Sequence, residues 1–165
     1  MPGKRRRSYE SGHRPKYLIV VDETPEWERA LYFAARRAAR TGAAIVTLTM
    51  LDLQEAQAWL GVNDLIRAEA EEKAKELLAA AAVKTRAIAG LEPEQLIREG
   101  GIAETILKVI DEDQDIAALI LAASISKDGP GPLVSALASK AVSAFPIPVT
   151  IVPGGLSNED LDAMT

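Results

Sequence analysis

The sequence predicts a doubly wound α/β fold, in which an open parallel sheet of five strands carries helices on both faces. Two observations point to this class. Short, continuous apolar runs are typical of strands that are buried on both faces of a parallel sheet. These runs alternate along the 165-residue chain with longer segments of helical periodicity, and such an alternation forms right-handed crossover units. No internal repeat is visible, so we expect one domain.

The five predicted strands are the five apolar runs of the chain. The first, KYLIV followed by a second valine, ends at Asp22. The third, EQLIRE, gives the weakest signal because it contains only two apolar residues. The fourth ends in small residues, and the fifth follows the sequence Pro-Ile-Pro. In chain order the predicted strands are residues 16–21, 44–51, 94–99, 116–122 and 148–152.

A helix is predicted after each of the first four strands. The first helix is expected to begin at Thr24 and Pro25, because threonine can cap a helix and proline suits its first position. Gly42 can end it. On the long second helix we expect ion pairs one turn apart, such as Glu69 with Lys73. In chain order the predicted helices cover residues 24–42, 62–88, 102–112 and 132–144. The pattern of residues 52–61, which include Trp59, fits either a loop or a short helix.

Composition excludes several classes of function. The chain has no cysteine, and its single histidine is His13, so disulfides, thiol catalysis, a histidine-based triad and a multi-histidine metal site cannot be built. We therefore expect no catalytic residue and no metal site. No apolar stretch approaches the roughly 18 residues that span a bilayer. The basic N-terminus lacks the apolar core of a secretory signal, so we expect a cytoplasmic protein.

Charge is distributed unevenly between the N-terminus and the rest of the chain. Residues 1–16 contain six basic groups and one acidic group, a net of +5, which leaves −10 for the remainder because the whole chain carries −5. We predict a flexible basic tail over residues 1–15. Its run Lys4–Arg7 could contact nucleic acid or an anionic membrane, or it could be solvated or fold loosely against the acidic body. That acidic body argues against a nucleic-acid groove.

Three local patterns, taken in their order and spacing, resemble the universal stress protein family. They are Leu18–Asp22 with the TPE that follows, Arg98–Gly101 with the helix that follows, and the stretch Leu119–Val152 with its proline-bracketed entry to the last strand. The resemblance covers residues 16–153, with residues 154–165 as a polar C-terminal tail. It implies a Rossmann-like sheet with strand order 3-2-1-4-5, whose ligand crevice lies where the strand order reverses.

The nucleotide-binding branch of that family carries the pattern Gly-x2-Gly-x9-Gly-Ser/Thr after the fourth strand. At the same spacing this chain has Ala122, Ile125 and the pair Ser135-Ala136, so each glycine is replaced. Glycine permits positive φ angles and the close approach of backbone N–H groups to phosphate oxygens. The resemblance therefore implies a degenerate ATP motif in a crevice that is otherwise retained.

Side chains of the loop also argue against ATP. Ile125 is β-branched, so positive φ is costly there, and Pro130 and Pro132 have no N–H to donate. Asp128 adds a negative charge where phosphates would lie. Lys127 and two serines favour an anion, but we expect them to be too few. The candidate crevice residues, including an acid that ATP-binding relatives use to hold the nucleotide, are Asp22, Ala122, Ser124, Ile125, Lys127, Ser135 and Ala136.

The resemblance thus implies a universal stress protein that does not bind ATP, a dimeric stress-response interaction module without cofactor or turnover, whose protein partner is unknown. The alternative is an ATP-binding switch or weak ATPase with a remodelled phosphate loop. A third hypothesis is an adaptor whose basic tail docks on nucleic acid. Family members commonly dimerise through the last strand, and an apolar edge strand is an association surface. The predicted homodimer residues are Val149, Thr150, Ile151 and Val152.

Overall fold

The computed structural model describes residues 4–51, 53, 63–138 and 145–165. In this part of the chain a five-stranded sheet has the order β3-β2-β1-β4-β5, and each neighbouring pair is parallel. The predicted fold class and strand order are therefore confirmed. The strands are β1 (Lys16–Val20), β2 (Ala44–Leu51), β3 (Glu94–Glu99), β4 (Ile116–Ala123) and β5 (Val149–Pro153).

Helices cover both faces of the sheet. The helices are α1 (Trp27–Thr41), α2 (Asn63–Ala89), α3 (Ile102–Glu112), α4 (Pro132–Ala138) and α5 (Asn158–Met164). Helices α1, α2 and α5 contribute to the core on one face, and α3 and α4 contribute to the core on the other. Apart from Leu53, the undecided segment 52–61 lies outside the described residues, as do the last six residues of the predicted fourth helix.

The two cores explain why the central strands are apolar throughout. Consecutive residues of a strand point to opposite faces, and both faces are covered here. Ile19 packs with Leu31 of α1 and with α2. Its neighbour Leu18 packs with Ile106 and Ile110 of α3. All of these side chains are fully buried.

The start of α1 differs from the prediction. The helix begins at Trp27, and Thr24 does not cap it. Thr24 instead donates from its backbone N and from its Oγ1 to Oδ1 of Asp22, at 2.9 and 2.5 Å. The helix ends as predicted, because Gly42 adopts φ 77° and donates to the carbonyl of Ala38. The predicted pairing of Lys73 was wrong as well, because its Nζ contacts Glu23 Oε1 at 2.8 Å.

The N-terminal segment lies against the turn between α3 and β4. Arg6 Nη1 donates to the carbonyl oxygens of Ile110 and Asp113 at 2.8 and 3.0 Å. The buried Ser8 hydroxyl donates to the carbonyl oxygen of Asp115 at 2.9 Å. The prediction of a flexible tail from residue 1 is thus corrected over residues 4–15. Folding against the acidic body, which the charge distribution left open, is the arrangement found.

The C-terminal segment is a helix and not the predicted polar tail. Ser157 and Asp160 form a capping box at the N-terminus of α5, with backbone-to-side-chain distances of 3.0 and 3.1 Å. Leu161 is fully buried in the same core as α1. Asp162 accepts a hydrogen bond from the Tyr32 hydroxyl at 2.7 Å and lies 2.9 Å from Arg36 Nε. One apolar anchor and these polar contacts attach α5 to α1.

Candidate functional site

A narrow crevice opens at the carboxyl ends of β1 and β4, where the strand order reverses. This position is the usual ligand site of an open α/β sheet. Asp22 follows β1 on one side, and Ala122 of β4 lies on the other with Pro130 and Gly131. The space left between them is about 10 Å³, which is enough for about one water molecule.

Asp22 is engaged by its own chain. Its Oδ1 accepts both hydrogen bonds from Thr24 described above. Burial raises the pKa of the Asp22 carboxyl, and the bonds from Thr24 oppose that rise without cancelling it. The acid is therefore held as part of the turn that leads into α1, with one oxygen already occupied.

The loop between β4 and α4 is closed by its own hydrogen bonds. Ser124 N donates to the carbonyl oxygen of Pro130 at 2.8 Å, and Gly129 N donates to that of Ser126 at 3.4 Å. Ser126 N donates to Ser124 Oγ at 3.0 Å, and Asp128 N donates to Ser126 Oγ at 3.2 Å. These amides point at acceptors inside the loop, so they do not converge on a common point as the amides of a phosphate cradle do.

A wider cavity of about 430 Å³ lies beside this loop. Hydroxyl groups of Ser124, Ser126 and Ser135 line it, together with the carboxylates of Glu26 and Asp128. The neighbouring hydroxyl of Thr24, with a smaller contribution from Ser124, lowers the pKa of Glu26, so this carboxylate is ionised at neutral pH. Among the described lining residues there is no cation, and the cavity therefore opposes an anionic ligand.

The family of the chain follows from a comparison with family models. A model of the universal stress protein family matches residues 14–153, most of the chain. The chain belongs to the universal stress protein family. A comparison with curated proteins gave no significant match.

Solved structures of universal stress proteins share this fold. The protein UspA from Lactobacillus plantarum superposes with a TM-score of 0.68 at 17% identity, over 84% of this chain and 97% of that chain. A universal stress protein in complex with cAMP gives 0.59 at 16% identity, over 86% and 98%. The protein from Archaeoglobus fulgidus in complex with dAMP gives 0.54 at 22% identity, over 84% and 96%. At these identities the likeness concerns the fold alone.

The structure of this universal stress protein separates the predicted crevice residues into two groups. Asp22, Ala122, Ser124 and Ser135 line the crevice or the cavity beside it. Ile125 does not, because its side chain is 80% exposed and its Cγ2 lies beside Gly154 and Gly155 after β5. Lys127 and Ala136 are also absent from the described residues that line either space.

Glu26 is the crevice residue that the sequence analysis missed. Its position just before α1 carries no pattern that distinguishes it from other solvent-facing acids. Only the folded chain brings it to the same cavity as Ser124.

A second, mainly apolar cavity of about 410 Å³ remains open between the carboxyl ends of β1 and β2 and helix α2. Met50, Leu51, Ala74 and Leu77 line it. Its size is within the range of small-molecule sites. The crevice of this universal stress protein is therefore narrow between Asp22 and Ala122, while the space next to α2 is open.

The predicted dimer strand, β5, is an edge of the sheet. Val152 is buried, and Val149 and Thr150 are half-buried. Ile151 leaves 49% of its surface exposed. Among the residues that the structure describes, the strand thus presents a free hydrogen-bonding edge with an apolar side chain beside it.

The part of the chain that the structure describes contains no group of three or more His, Cys, Asp or Glu side chains placed to hold a metal ion. No helix in that part is long and apolar enough to cross a bilayer.

Proposed function

We propose that this universal stress protein does not bind ATP and acts as a homodimeric interaction module of the stress response, without catalytic turnover. The observation that carries the proposal is the closure of the loop between β4 and α4 by its own hydrogen bonds. An incoming triphosphate would have to break those bonds before it could use the same amides.

The magnitude of this effect supports the proposal. A hydrogen bond contributes about 1 kcal/mol net, and more when its acceptor is charged. Withholding the four engaged amides would therefore weaken phosphate binding by roughly a thousandfold or more. Pro130 and Pro132 supply no further donors, and the carboxylates of Glu26 and Asp128 in the adjoining cavity add repulsion.

The test is a titration with Mg-ATP, preceded by a search for nucleotide released when freshly purified protein is denatured. We expect no released nucleotide. The Kd for Mg-ATP should be in the millimolar range or weaker, which is binding about a thousandfold weaker than micromolar affinity. Micromolar affinity that is lost in Asp22→Ala or Lys127→Ala would contradict the proposal and favour the ATP-binding switch or weak ATPase.

One observation favours a nucleotide as a second candidate ligand. The apolar cavity beside α2 has room for a planar base, and two structural neighbours are described as complexes with cAMP and dAMP. Adenosine, AMP and ATP should be compared in the same titration. Saturable binding that strengthens at least tenfold from adenosine to ATP would require a working phosphate site. Equal, weak binding of all three would restrict recognition to the base.

We infer that the homodimer forms through β5. The amide of Leu119 donates to the carbonyl oxygen of Pro148 at 3.0 Å, so the next residue along β5, Val149, directs its backbone groups to the free edge. The backbone N–H and C=O groups of successive residues point to alternate sides of a strand. Ile151, two residues after Val149, therefore also directs its backbone groups to the free edge. Pairing with a second copy would satisfy these groups and cover the Ile151 side chain.

Ile151→Lys should dissociate this dimer. The substitution removes an apolar contact and places two like charges across the two-fold axis, so dimerisation should weaken by about 30-fold or more. Light scattering coupled to size-exclusion chromatography measures the mass. The matched control is Leu65→Lys, an equally polar change at an exposed leucine of α2, which should leave the mass unchanged. A dimer that persists in Ile151→Lys at the same concentration would exclude β5 as the interface.

A further inference from the structure

A groove of about 550 Å³ lies at the end of the sheet opposite to the crevice. It is formed near the amino ends of β1, β4 and β5, under the C-terminal half of α1. Tyr17, Thr150, Phe33 and Arg37 line it, and Tyr9 of the N-terminal segment closes one side. Its volume is within the range of small-molecule sites, and none of the residues predicted for the ATP crevice contributes to it.

Three aromatic side chains meet in this groove. Aromatic residues make up only 4% of the sequence, with three tyrosines, two phenylalanines and two tryptophans. Three of these seven side chains, Tyr9, Tyr17 and Phe33, line the groove. Tyr9 leaves 82% of its surface exposed. Aromatic rings bind other rings by stacking or by edge-to-face contact, so this lining favours a planar apolar ligand.

The groove is formed before any ligand enters. The Tyr17 hydroxyl lies 3.0 Å from Thr41 Oγ1, which fixes its ring. Tyr9 follows Ser8, whose hydroxyl is bound to the turn before β4. On either side of them, Arg7 N donates to the carbonyl oxygen of Gln114 and Glu10 N to that of Arg7, at 2.9 and 3.0 Å. Preorganisation of this kind lowers the cost of binding.

Arg37 gives the groove a positive charge. The other arginines of α1 contact the C-terminal segment: Arg29 binds Asn158, and both Arg36 and Arg40 contact Asp162. The Arg37 side chain has no hydrogen bond or ion pair with any residue that the structure describes. An exposed guanidinium without a partner, at the border of an aromatic surface, matches a carboxylate, which it can bind through two parallel hydrogen bonds.

We propose that this groove binds a small aromatic carboxylate, with the ring of the ligand against Tyr9 and Phe33 and its carboxylate on Arg37. The site is separate from the crevice and does not depend on whether the crevice binds nucleotide. A second copy of the chain is the competing occupant, because Thr150 belongs to the edge strand β5.

The test uses 2-naphthoate as the probe and its neutral analogue 2-naphthamide as the ligand control. Binding is measured by calorimetry and by the NMR ring resonances of Tyr9 and Phe33. Naphthoate should bind saturably and shift those resonances. Naphthamide, and naphthoate with Arg37→Gln, should bind at least about tenfold more weakly. The matched variant Arg40→Gln, an arginine less than one turn away, should bind naphthoate within about twofold of the original chain.

Two results would overturn the proposal. One is binding of naphthoate that is unsaturable, or equal in Arg37→Gln and Arg40→Gln. The other is a change of mass on adding naphthoate or in Arg37→Gln, measured by light scattering, which would assign the groove to a second copy. Phe33→Ala, which keeps the charge and removes a ring, should also weaken naphthoate binding by about tenfold. Unchanged affinity in this variant would show that the ring of Phe33 does not contact the ligand, against the proposal.

Discussion

Gly154→Ala should lower the free energy of unfolding by about 2–3 kcal/mol, because a side chain at this position has no room. A Cβ atom on Gly154 would overlap the carbonyl oxygen of Ala123, the last residue of β4. The obstacle is backbone, so it cannot be relieved by a change of rotamer. Either β5 or the end of β4 must move. Since Ser124 and the closed loop follow directly, the same substitution should also disturb the crevice.

Gly155→Ala is the matched control for this prediction. Neither glycine has a positive φ, so alanine meets no left-handed strain at either position. A Cβ atom on Gly155 would meet Ile125 Cγ2 at 3.6 Å, an ordinary contact. Urea denaturation should give a change within about 0.5 kcal/mol for Gly155→Ala. Equal stabilities of the two variants would show that the ends of β4 and β5 do not approach as closely as described.

Leu161→Ala should cost about 3 kcal/mol, as large-to-small substitutions of fully buried leucines generally do. Leu161 is the buried side chain of α5 and packs into the same core as α1. Its removal leaves α5 attached to α1 by the polar contacts of Asn158 and Asp162. Because the helix is only seven residues long, it has little stability without packing.

The control for this helix is Met164→Ala. Met164 lies on the same helix and is 53% exposed, so its truncation should change the free energy of unfolding by about 0.5 kcal/mol or less. Both variants should be compared by urea denaturation, and α5 should be followed by amide hydrogen exchange. Small and equal losses in the two variants would mean that α5 is not part of the core and that a polar tail is the better description.

The sheet could be predicted from the sequence because burial on both faces leaves a direct trace. Leu18 and Ile19 point in opposite directions and must both be apolar, which produces a continuous run. The strand order came from the family resemblance and not from periodicity. Helix α5 was missed because it is short and polar, although a signal was present: Ser157 and Asp160 have the spacing of a capping box.

The site was less predictable, because its properties depend on backbone direction and not on residue type. The sequence identified the loss of the glycines and the absence of an N–H at Pro130 and Pro132. It could not indicate that Ser124 and Ser126 would use their hydroxyls and amides to close the loop, or that Ile125 would lie outside the crevice. The contacts of Arg6 were equally hidden, because their acceptors are carbonyl groups, which every residue carries.

Those contacts of Arg6 have a consequence for the behaviour of the protein at high ionic strength. Dissolved salt screens exposed ion pairs, but a hydrogen bond to a neutral carbonyl oxygen depends much less on it. The segment that carries Tyr9 should therefore stay docked in concentrated potassium chloride, when surface pairs such as Arg7 with Glu10 have lost most of their strength. The aromatic groove would then keep its shape through osmotic shocks that alter the electrostatics of the remaining surface.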